Sequence, residues 1–194
     1  VEHVELVPNT FQGLVLQATN TRMMAPKIAA LFYNQPSEKL FCMGVTGTNG
    51  KTSFTYLVEH FFNTAHQPTG VIGTIDHHLG SKAWGTELTT PHPIELQARL
   101  SDFVNNNAKT LAIEVSSHAI DQKRVEGIEF DVGVFTNLSR DHLDYHSTME
   151  EYFDVKQKLF TDILSHSQKK KVFAITNRDD TWGAKMVVPP KVTH

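Results

Sequence analysis

The sequence predicts an α/β protein in which a mostly parallel sheet, carrying a phosphate-binding loop (P-loop), is covered by helices on both faces. Two observations support this prediction. From residue 40 onward, short apolar runs rich in β-branched residues alternate with longer amphipathic stretches, as strands and helices do in parallel sheets. A glycine-rich segment at residues 44–52 lies between the first apolar run and the first amphipathic stretch. This is the strand–loop–helix setting in which phosphate sites occur.

Five segments have the composition of strands that are buried on both faces, because each is short and mostly apolar. They cover residues 40–45, 70–75, 111–115, 132–136 and 172–176. Residues 76–88, with Gly80 and Ser81 in the middle, have the pattern of a β-hairpin. The single cysteine, Cys42, lies in the first apolar run, so we expect a buried thiol and no disulfide.

Helices are predicted at residues 52–65, 93–106, 148–164 and 181–186. The third has a clear start, because Ser147 or Thr148 can cap it and Glu150 and Glu151 lie near the positive end of its dipole. Its apolar residues recur three and four positions apart, and Lys156 falls in the middle of that apolar face. An inward lysine must snorkel, pair or change its chemistry, and the spacing does not distinguish these.

Composition excludes several functional classes. With 194 residues, 40% of them hydrophobic, the chain can bury a core without disulfides or a structural metal. A formal net charge of −3 argues against bulk electrostatic binding to nucleic acid or anionic lipid. No apolar stretch approaches the ~18–20 residues that span a bilayer, and no signal segment begins the chain. We therefore expect a cytoplasmic protein with no nucleic-acid partner and no membrane insertion.

The strongest local signal is the glycine-rich segment GVTGTNGKT at residues 44–52. Glycines let successive N–H groups face phosphate oxygens, and the helix that begins near Lys51 adds its own free N–H groups. The Lys51 ammonium can reach the β- and γ-phosphates, and the Thr52 hydroxyl can ligate Mg²⁺. One departure is Val45, because the usual pattern has glycine six residues before the lysine. The alternative interpretation is a glycine-rich turn that binds no nucleotide.

Candidate metal ligands fall at or just after the ends of two predicted strands, at the sheet edge where open α/β sheets bind ligands. Glu114 closes an apolar run, where a carboxylate is costly unless it is paired or metal-bound. Residues 137–146, NLSRDHLDYH, are dense in possible ligands and acid–base groups. Taken singly, each of these histidines is more often a surface or hydrogen-bonding residue than a ligand.

In their order, the motifs resemble the Mur ligase family, and the resemblance extends over roughly residues 25–185. It is strongest for the members that make UDP-MurNAc-tripeptide. The motifs are GTNGKT at 47–52, TTP at 89–91, EVSSHA at 114–119, TNLSRDHLDYH at 136–146 and YFDVK at 152–156.

The resemblance implies ATP and Mg²⁺ as cofactors and assigns roles to individual positions. The catalytic residues would be Lys51, His142 and Lys156. The nucleotide would be held by Gly47, Thr48, Asn49, Gly50, Lys51, Thr52, Asn137, Asn177 and Asp180. The metal would be held by Thr52, Glu114, His142 and Lys156. We expect Lys156 to be carbamylated, because an ammonium beside Mg²⁺ would be repelled, whereas CO₂ addition makes it an anion. The UDP-MurNAc-dipeptide would be held by Thr89, Thr90, Ser116, Gln122 and Arg124.

The implied reaction is ATP-dependent addition of a diamino acid, meso-diaminopimelate or L-lysine, to UDP-MurNAc-L-Ala-D-Glu through an acyl phosphate in peptidoglycan precursor synthesis. We interpret residues 1–39 as the tail of an N-terminal UDP-binding domain with its linker. Residues 40–194 would be the central ATP-binding domain, incomplete at its C-terminal end, and a C-terminal amino-acid-binding domain would be absent. We therefore expect a monomeric fragment that cannot complete the ligation alone.

Three other interpretations remain open. A folylpolyglutamate synthetase-like ligase shares the fold and the acyl-phosphate route that the resemblance implies. A non-catalytic nucleotide-binding module is a second alternative, although it has no chemical need for Lys51, Glu114, His142 and Lys156 together. A P-loop kinase or simple ATPase is a third, although neither needs an inward lysine beside the metal.

Overall fold

The computed structural model describes residues 1–142 and 144–194. In this part of the chain, seven strands form one sheet with the order β4-β3-β2-β5-β1-β6-β7. Strands β2, β5, β1, β6 and β7 are parallel, and β3 and β4 form an antiparallel hairpin at one edge. The strands are β1 Phe41–Thr46, β2 Thr69–Ile72, β3 His77–Leu79, β4 Lys82–Trp84, β5 Thr110–Glu114, β6 Val132–Phe135 and β7 Phe173–Thr176. The predicted α/β class and the predicted hairpin are confirmed.

The α-helices of the described residues are α1 Thr21–Phe32, α2 Lys51–Thr64, α3 Pro93–Asn105, α4 Ser117–Asp121 and α5 Met149–Lys158. Helix α1 was not predicted, because Pro26 interrupts its sequence pattern, yet the Asn20 side chain caps it by accepting from Met23 N at 3.0 Å. Helix α4 was not predicted either, because five residues are too few to show helical periodicity.

Two predicted helices differ from the structure in detail. The helix predicted at 148–164 is α-helical only to Lys158 and continues as a π-helical turn over Leu159–Leu164. Both parts share one apolar face, so the sequence pattern does not reveal the change from α-helix to π-helix.

The helix predicted at 181–186 is wrong: only a 3₁₀ turn, Gly183–Lys185, forms there. Asp180 accepts from Trp182 N and Gly183 N, and these bonds hold a turn in place of a helix.

Helices cover both faces of the sheet, as predicted. On one face, Phe54 and Val58 of α2 pack against a cluster that includes Val71 and Ala112. On the other face, residues of α3, α4 and α5 form a larger core with the inward side chains of β1 and β5, and Cys42 is buried there. Helix α1 packs against α3. No helix of the described residues is both long and apolar enough to cross a membrane.

The register of the parallel strands brings three motifs to one edge of the sheet. Val45 of β1 pairs with Glu114 of β5, and Thr46 pairs with Phe135 of β6. Because parallel strands end at the same edge, the loop after β1, the end of β5 and the segment after β6 lie side by side.

Candidate active site

The loop after β1 has a backbone that favours glycine at two positions. Gly47 has φ +145° and Gly50 has φ +87°, both in the region that L side chains rarely adopt. A Cβ atom on Gly47 would also overlap the Thr136 hydroxyl on the neighbouring segment. The loop therefore runs close against the segment after β6 before it enters α2.

Asn137, expected near the nucleotide base or ribose, is bound to the loop. Its backbone carbonyl accepts from Thr48 N at 2.9 Å, and its side-chain oxygen accepts from Asn49 N at 3.0 Å. Its side-chain nitrogen donates to the Asn49 carbonyl at 3.1 Å, and Thr136 Oγ1 donates to the same carbonyl at 2.7 Å. These contacts define the shape of the loop from the β6 side.

Two lysines meet at one carbonyl of this loop. Lys51 Nζ donates to the carbonyls of Gly47 at 3.0 Å and Thr48 at 2.8 Å. Lys156 Nζ, from α5, donates to the same Gly47 carbonyl at 3.1 Å and lies 3.5 Å from Thr46 Oγ1. The sequence pattern placed Lys156 on an inward face, and the structure brings it to the loop itself.

The surroundings of Lys156 disfavour its charged form. The residue is 1% exposed, and burial, with a smaller contribution from the Lys51 charge, lowers the pKa of its amine well below the ordinary value. Asp141 opposes this shift, and the Nζ atom lies 4.5 Å from the centre of the Tyr152 ring. Burial also lowers the pKa of Lys51, against the charges of Glu114 and Asp141. This environment therefore favours the neutral amine relative to the ammonium.

Glu114 is a buried carboxylate, 1% exposed, and each of its oxygens accepts hydrogen bonds. Thr52 Oγ1 donates to Oε1 at 2.8 Å, as does Thr74 N at 3.0 Å, and Thr74 Oγ1 donates to Oε2 at 3.0 Å. The pairing of Thr52 with Glu114 joins two predicted metal ligands, and their oxygens are the donor type that Mg²⁺ prefers.

His142 lies in the loop after β6, with its side chain 43% exposed. Its ring lies edge-on to Tyr152 at 6.1 Å between ring centres, and the Tyr152 hydroxyl is 3.4 Å from Thr48 Oγ1. In the described part of the chain, no group of three or more His, Cys, Asp or Glu side chains is arranged to hold a metal. The predicted set contains two such residues, Glu114 and His142. Leu143, in the middle of the 136–146 motif, lies outside the described residues.

The predicted substrate-binding residues form one hydrogen-bonded network. Thr90 Oγ1 donates to the Glu114 carbonyl at 2.8 Å and accepts from Ser116 N at 3.2 Å. Arg124 donates through Nη1 to the Thr90 carbonyl at 2.8 Å, and through Nη2 and Nε to Gln122 Oε1 at 2.6 and 3.1 Å. Burial lowers the pKa of Arg124, although guanidinium stays charged.

Thr89 is linked to Glu114 through Thr74. Its hydroxyl lies 3.1 Å from the Thr74 hydroxyl, which is also bonded to Glu114. Four of the five predicted substrate residues are therefore within two hydrogen bonds of Glu114, and Gln122 is connected to it through Arg124 and Thr90.

Asn177 and Asp180 follow β7 and lie beside the segment after β6. Asn177 Nδ2 donates to the Thr136 carbonyl at 2.9 Å. Asp180 Oδ2 accepts from Leu138 N at 3.3 Å, and Oδ1 accepts from Trp182 N at 3.0 Å. Both side chains thus support the backbone of the segment after β6.

No role was predicted for three residues of the site, although two of them, His118 and Tyr152, lie within the motifs that carry the family resemblance. Thr74 follows β2 at the binding edge, so its position after a parallel strand was an available signal. Tyr152 lies on the apolar face of the predicted third helix, where it resembled an ordinary core residue. His118 lies on α4, which was not predicted, and nothing in the spacing pointed to its contacts.

Comparison with known proteins gives consistent matches. A family model for the Mur ligase middle domain matches residues 45–192. A UDP-N-acetylmuramoyl-L-alanyl-D-glutamate–2,6-diaminopimelate ligase of Geobacter sulfurreducens is 47% identical over 183 residues, 92% of this chain and 36% of that protein. The ligase of the same name in Aquifex aeolicus is 45% identical over 180 residues, 93% of this chain and 36% of that protein. The chain thus spans 36% of the length of these relatives.

Solved structures show the same relationship. The structure of a UDP-N-acetylmuramoyl-L-alanyl-D-glutamate–2,6-diaminopimelate ligase matches with a TM-score of 0.78 at 29% identity, over 95% of this chain and 38% of that one. A Mycobacterium tuberculosis folylpolyglutamate synthase matches with a TM-score of 0.65 at 16% identity, over 86% of this chain and 43% of that one. The second likeness shows a shared fold alone.

Proposed function

The chain belongs to the Mur ligase family, and from this premise we propose that it is the ATP-binding part of a ligase that adds 2,6-diaminopimelate to UDP-MurNAc-L-Ala-D-Glu. The carboxylate of the dipeptide attacks the γ-phosphorus of ATP, and ADP leaves. The amine of the diamino acid then attacks the resulting acyl phosphate, which forms the amide and releases phosphate. Residues 40–194 would be the ATP-binding domain, and residues 1–39 the tail of a preceding domain.

The observation that carries the proposal is the double role of Glu114. Its side chain binds Thr52 at the start of α2, and its backbone carbonyl accepts from Thr90 in the substrate network. One residue therefore joins the phosphate loop to the network that would hold the dipeptide. A ligase needs this closeness, because the γ-phosphate and the attacking carboxylate must meet.

In the proposed reaction, Lys51 leaves the carbonyls of Gly47 and Thr48 and pairs with the phosphates. The free N–H groups at the start of α2 and the loop amides supply further donors. Thr52, Glu114 and His142 would hold Mg²⁺, which supplies charge neutralisation at the transferring phosphoryl group. Asn137 maintains the conformation of the glycine-rich loop through its hydrogen bonds to Asn49.

Carbamylation of Lys156 is part of the proposal. The neutral amine that burial favours is the form that attacks CO₂, and the product is a carbamate anion with release of one proton. The anion would lie beside the Lys51 ammonium and could complete the metal site. In ¹³C-bicarbonate, the chain should show a carbamate carbon signal that Lys156→Met abolishes. Absence of the signal from the wild-type chain would remove this part of the proposal.

The test of the whole proposal is calorimetric titration of this chain with the ATP analogue AMP-PNP and Mg²⁺, followed by UDP-MurNAc-L-Ala-D-Glu. We expect Lys51→Ala to abolish nucleotide binding. Lys109→Ala is the matched control, because Lys109 is an exposed lysine just before β5, at the opposite edge of the sheet. We also expect no tripeptide from the chain alone, since it spans 36% of its relatives.

Each outcome separates one interpretation from another. If Lys51→Ala still binds the nucleotide, the proposed nucleotide site is wrong. Binding of a folate in place of the dipeptide selects a folylpolyglutamate synthetase-like function, and nucleotide binding with neither partner selects a nucleotide-binding module. Tripeptide product from the chain alone contradicts the view that further domains are needed.

A further inference from the structure

Helix α4 contacts the end of the loop after β6 through a buried pair of side chains, Ser117 and His146. His146 Nε2 lies 2.9 Å from Ser117 Oγ, and both side chains are buried. The His146 ring stacks on Tyr152 with 5.0 Å between ring centres and an interplanar angle of 26°. The far end of the loop is therefore fixed between α4 and α5.

The next residue of α4, His118, contacts the part of the loop nearer the candidate metal site. Its ring centre lies 4.1 Å from that of Tyr145 and 5.0 Å from that of His142, the latter edge-on at 87°. Tyr145 is held in turn, because its hydroxyl donates to Asp121 Oδ2 at 2.7 Å. His118 thus fills the space between an anchored tyrosine and the candidate ligand.

His142 needs such support, because its backbone is in an unfavourable conformation. Its φ is +53°, in the left-handed region that non-glycine residues adopt at a cost. Its carbonyl accepts from Tyr145 N at 3.1 Å and His146 N at 2.9 Å, and its own N–H donates to Asp141. These bonds hold the backbone, whereas the imidazole itself contacts Asp141 Oδ2 at 3.5 Å from Nε2 and the rings of His118 and Tyr152.

We propose that His118 is a positioning residue that fixes the His142 imidazole for metal binding, an assignment that rests on the proposed function. The rings of His118 and Tyr152 both lie edge-on to that of His142, at 5.0 and 6.1 Å between ring centres. Partners that fix a metal-binding histidine by accepting its ring N–H contribute about 10- to 100-fold in metal affinity. A packing contact should lie at the lower end of that range.

The experiment measures Mn²⁺ affinity of the whole chain by electron paramagnetic resonance in the presence of AMP-PNP. We expect His118→Ala to weaken Mn²⁺ binding about tenfold. His118→Phe should stay within about twofold of the wild type, because it keeps a ring against Tyr145 and His142. His60→Ala, an exposed histidine on α2, is the matched control and should change nothing. AMP-PNP affinity without metal should be unchanged in all variants, which general damage to the fold would not allow.

Four results would overturn the assignment. Unchanged Mn²⁺ affinity in His118→Ala excludes a positioning role. Equal losses in His118→Ala and His118→Phe show that the ring nitrogens are needed, so packing is not the cause. A wild-type chain that binds AMP-PNP but no Mn²⁺ removes the metal site, whereas a chain that binds no AMP-PNP refutes the proposed function as well. If His118→Ala does not fold, His118→Leu replaces it, with the same tenfold loss expected.

Discussion

Replacing Lys156 with methionine should make the chain more stable, although it removes a residue that the proposed reaction needs. The Lys156 amine is buried with two hydrogen-bond partners, one at 3.1 Å and one at a marginal 3.5 Å. Burying a polar group with too few partners costs about 1–3 kcal/mol. A methionine of similar length avoids that cost and keeps contact with the Tyr152 ring.

The magnitude follows from what the substitution leaves behind. The Gly47 carbonyl keeps Lys51 as a donor at 3.0 Å, so that acceptor does not become unpaired. The lost hydrogen bonds contribute about 0.5–1.5 kcal/mol each in general, and the longer one contributes little. The buried Thr46 hydroxyl loses its contact with Lys156, which offsets part of the gain, so we expect Lys156→Met to raise the free energy of unfolding by about 0.5–1 kcal/mol.

The assay is urea unfolding in CO₂-depleted buffer, where the amine is not carbamylated. Lys158→Met is the control, because Lys158 lies on the same helix but off its apolar face, and it should stay within about 0.5 kcal/mol of the wild type. Adding bicarbonate should then shift the midpoint of the wild type and of Lys158→Met, but not of Lys156→Met. A Lys156→Met chain that is less stable than the wild type would refute the reasoning, because the amine would then be well satisfied.

Three further predictions concern other parts of the molecule. Burial lowers the pKa of His77, which is 0% exposed, to about 4 from 6.5, so the unfolded chain takes up its proton first. The free energy of unfolding should therefore fall as the pH is lowered from 6.5 to 4. Urea titrations should show that His77→Phe loses about 3 kcal/mol less than the wild type over this range. The same pH dependence in both proteins would contradict this. Gly47→Ala should weaken AMP-PNP binding at least about tenfold in calorimetry, since φ is +145° and Thr136 blocks the side chain. Arg124→Lys should weaken dipeptide binding while AMP-PNP affinity stays the same, because lysine cannot bridge Gln122 and the Thr90 carbonyl together; a parallel loss of both ligands would contradict it.

Much of the fold could be predicted because its signals are local. The parallel strands are short apolar runs, and a strand buried on both faces needs little else to be recognised. The glycine-rich loop could be predicted because its signal lies in consecutive residues. The inward direction of Lys156 could be predicted from helical spacing. The predicted strand at 70–75 was too long, however: β2 ends at Ile72, because Thr74 turns away to bind Glu114.

The elements that were missed are those whose stability comes from distant partners. Helix α4 has five residues, and it forms where Ser116 accepts from Ala119 N and where the loop after β6 packs on it. The π-helical turn after α5 shares the apolar pattern of an α-helix, so the pattern predicted one continuous helix. Short elements of this kind carry too few periodic positions for a sequence signal.

The α/β class could be predicted from the sequence, and the glycine-rich loop and the candidate charged and metal-binding residues could be proposed from it, because all of these depend on residue type and near-neighbour spacing. Which of those residues contact one another depends on the tertiary structure. Glu114 joins Thr52 to Thr90, and Lys156 shares the Gly47 carbonyl with Lys51, across separations of up to 109 positions. Such contacts are set by strand register and by the packing of helices on the sheet, and neither is encoded in local spacing.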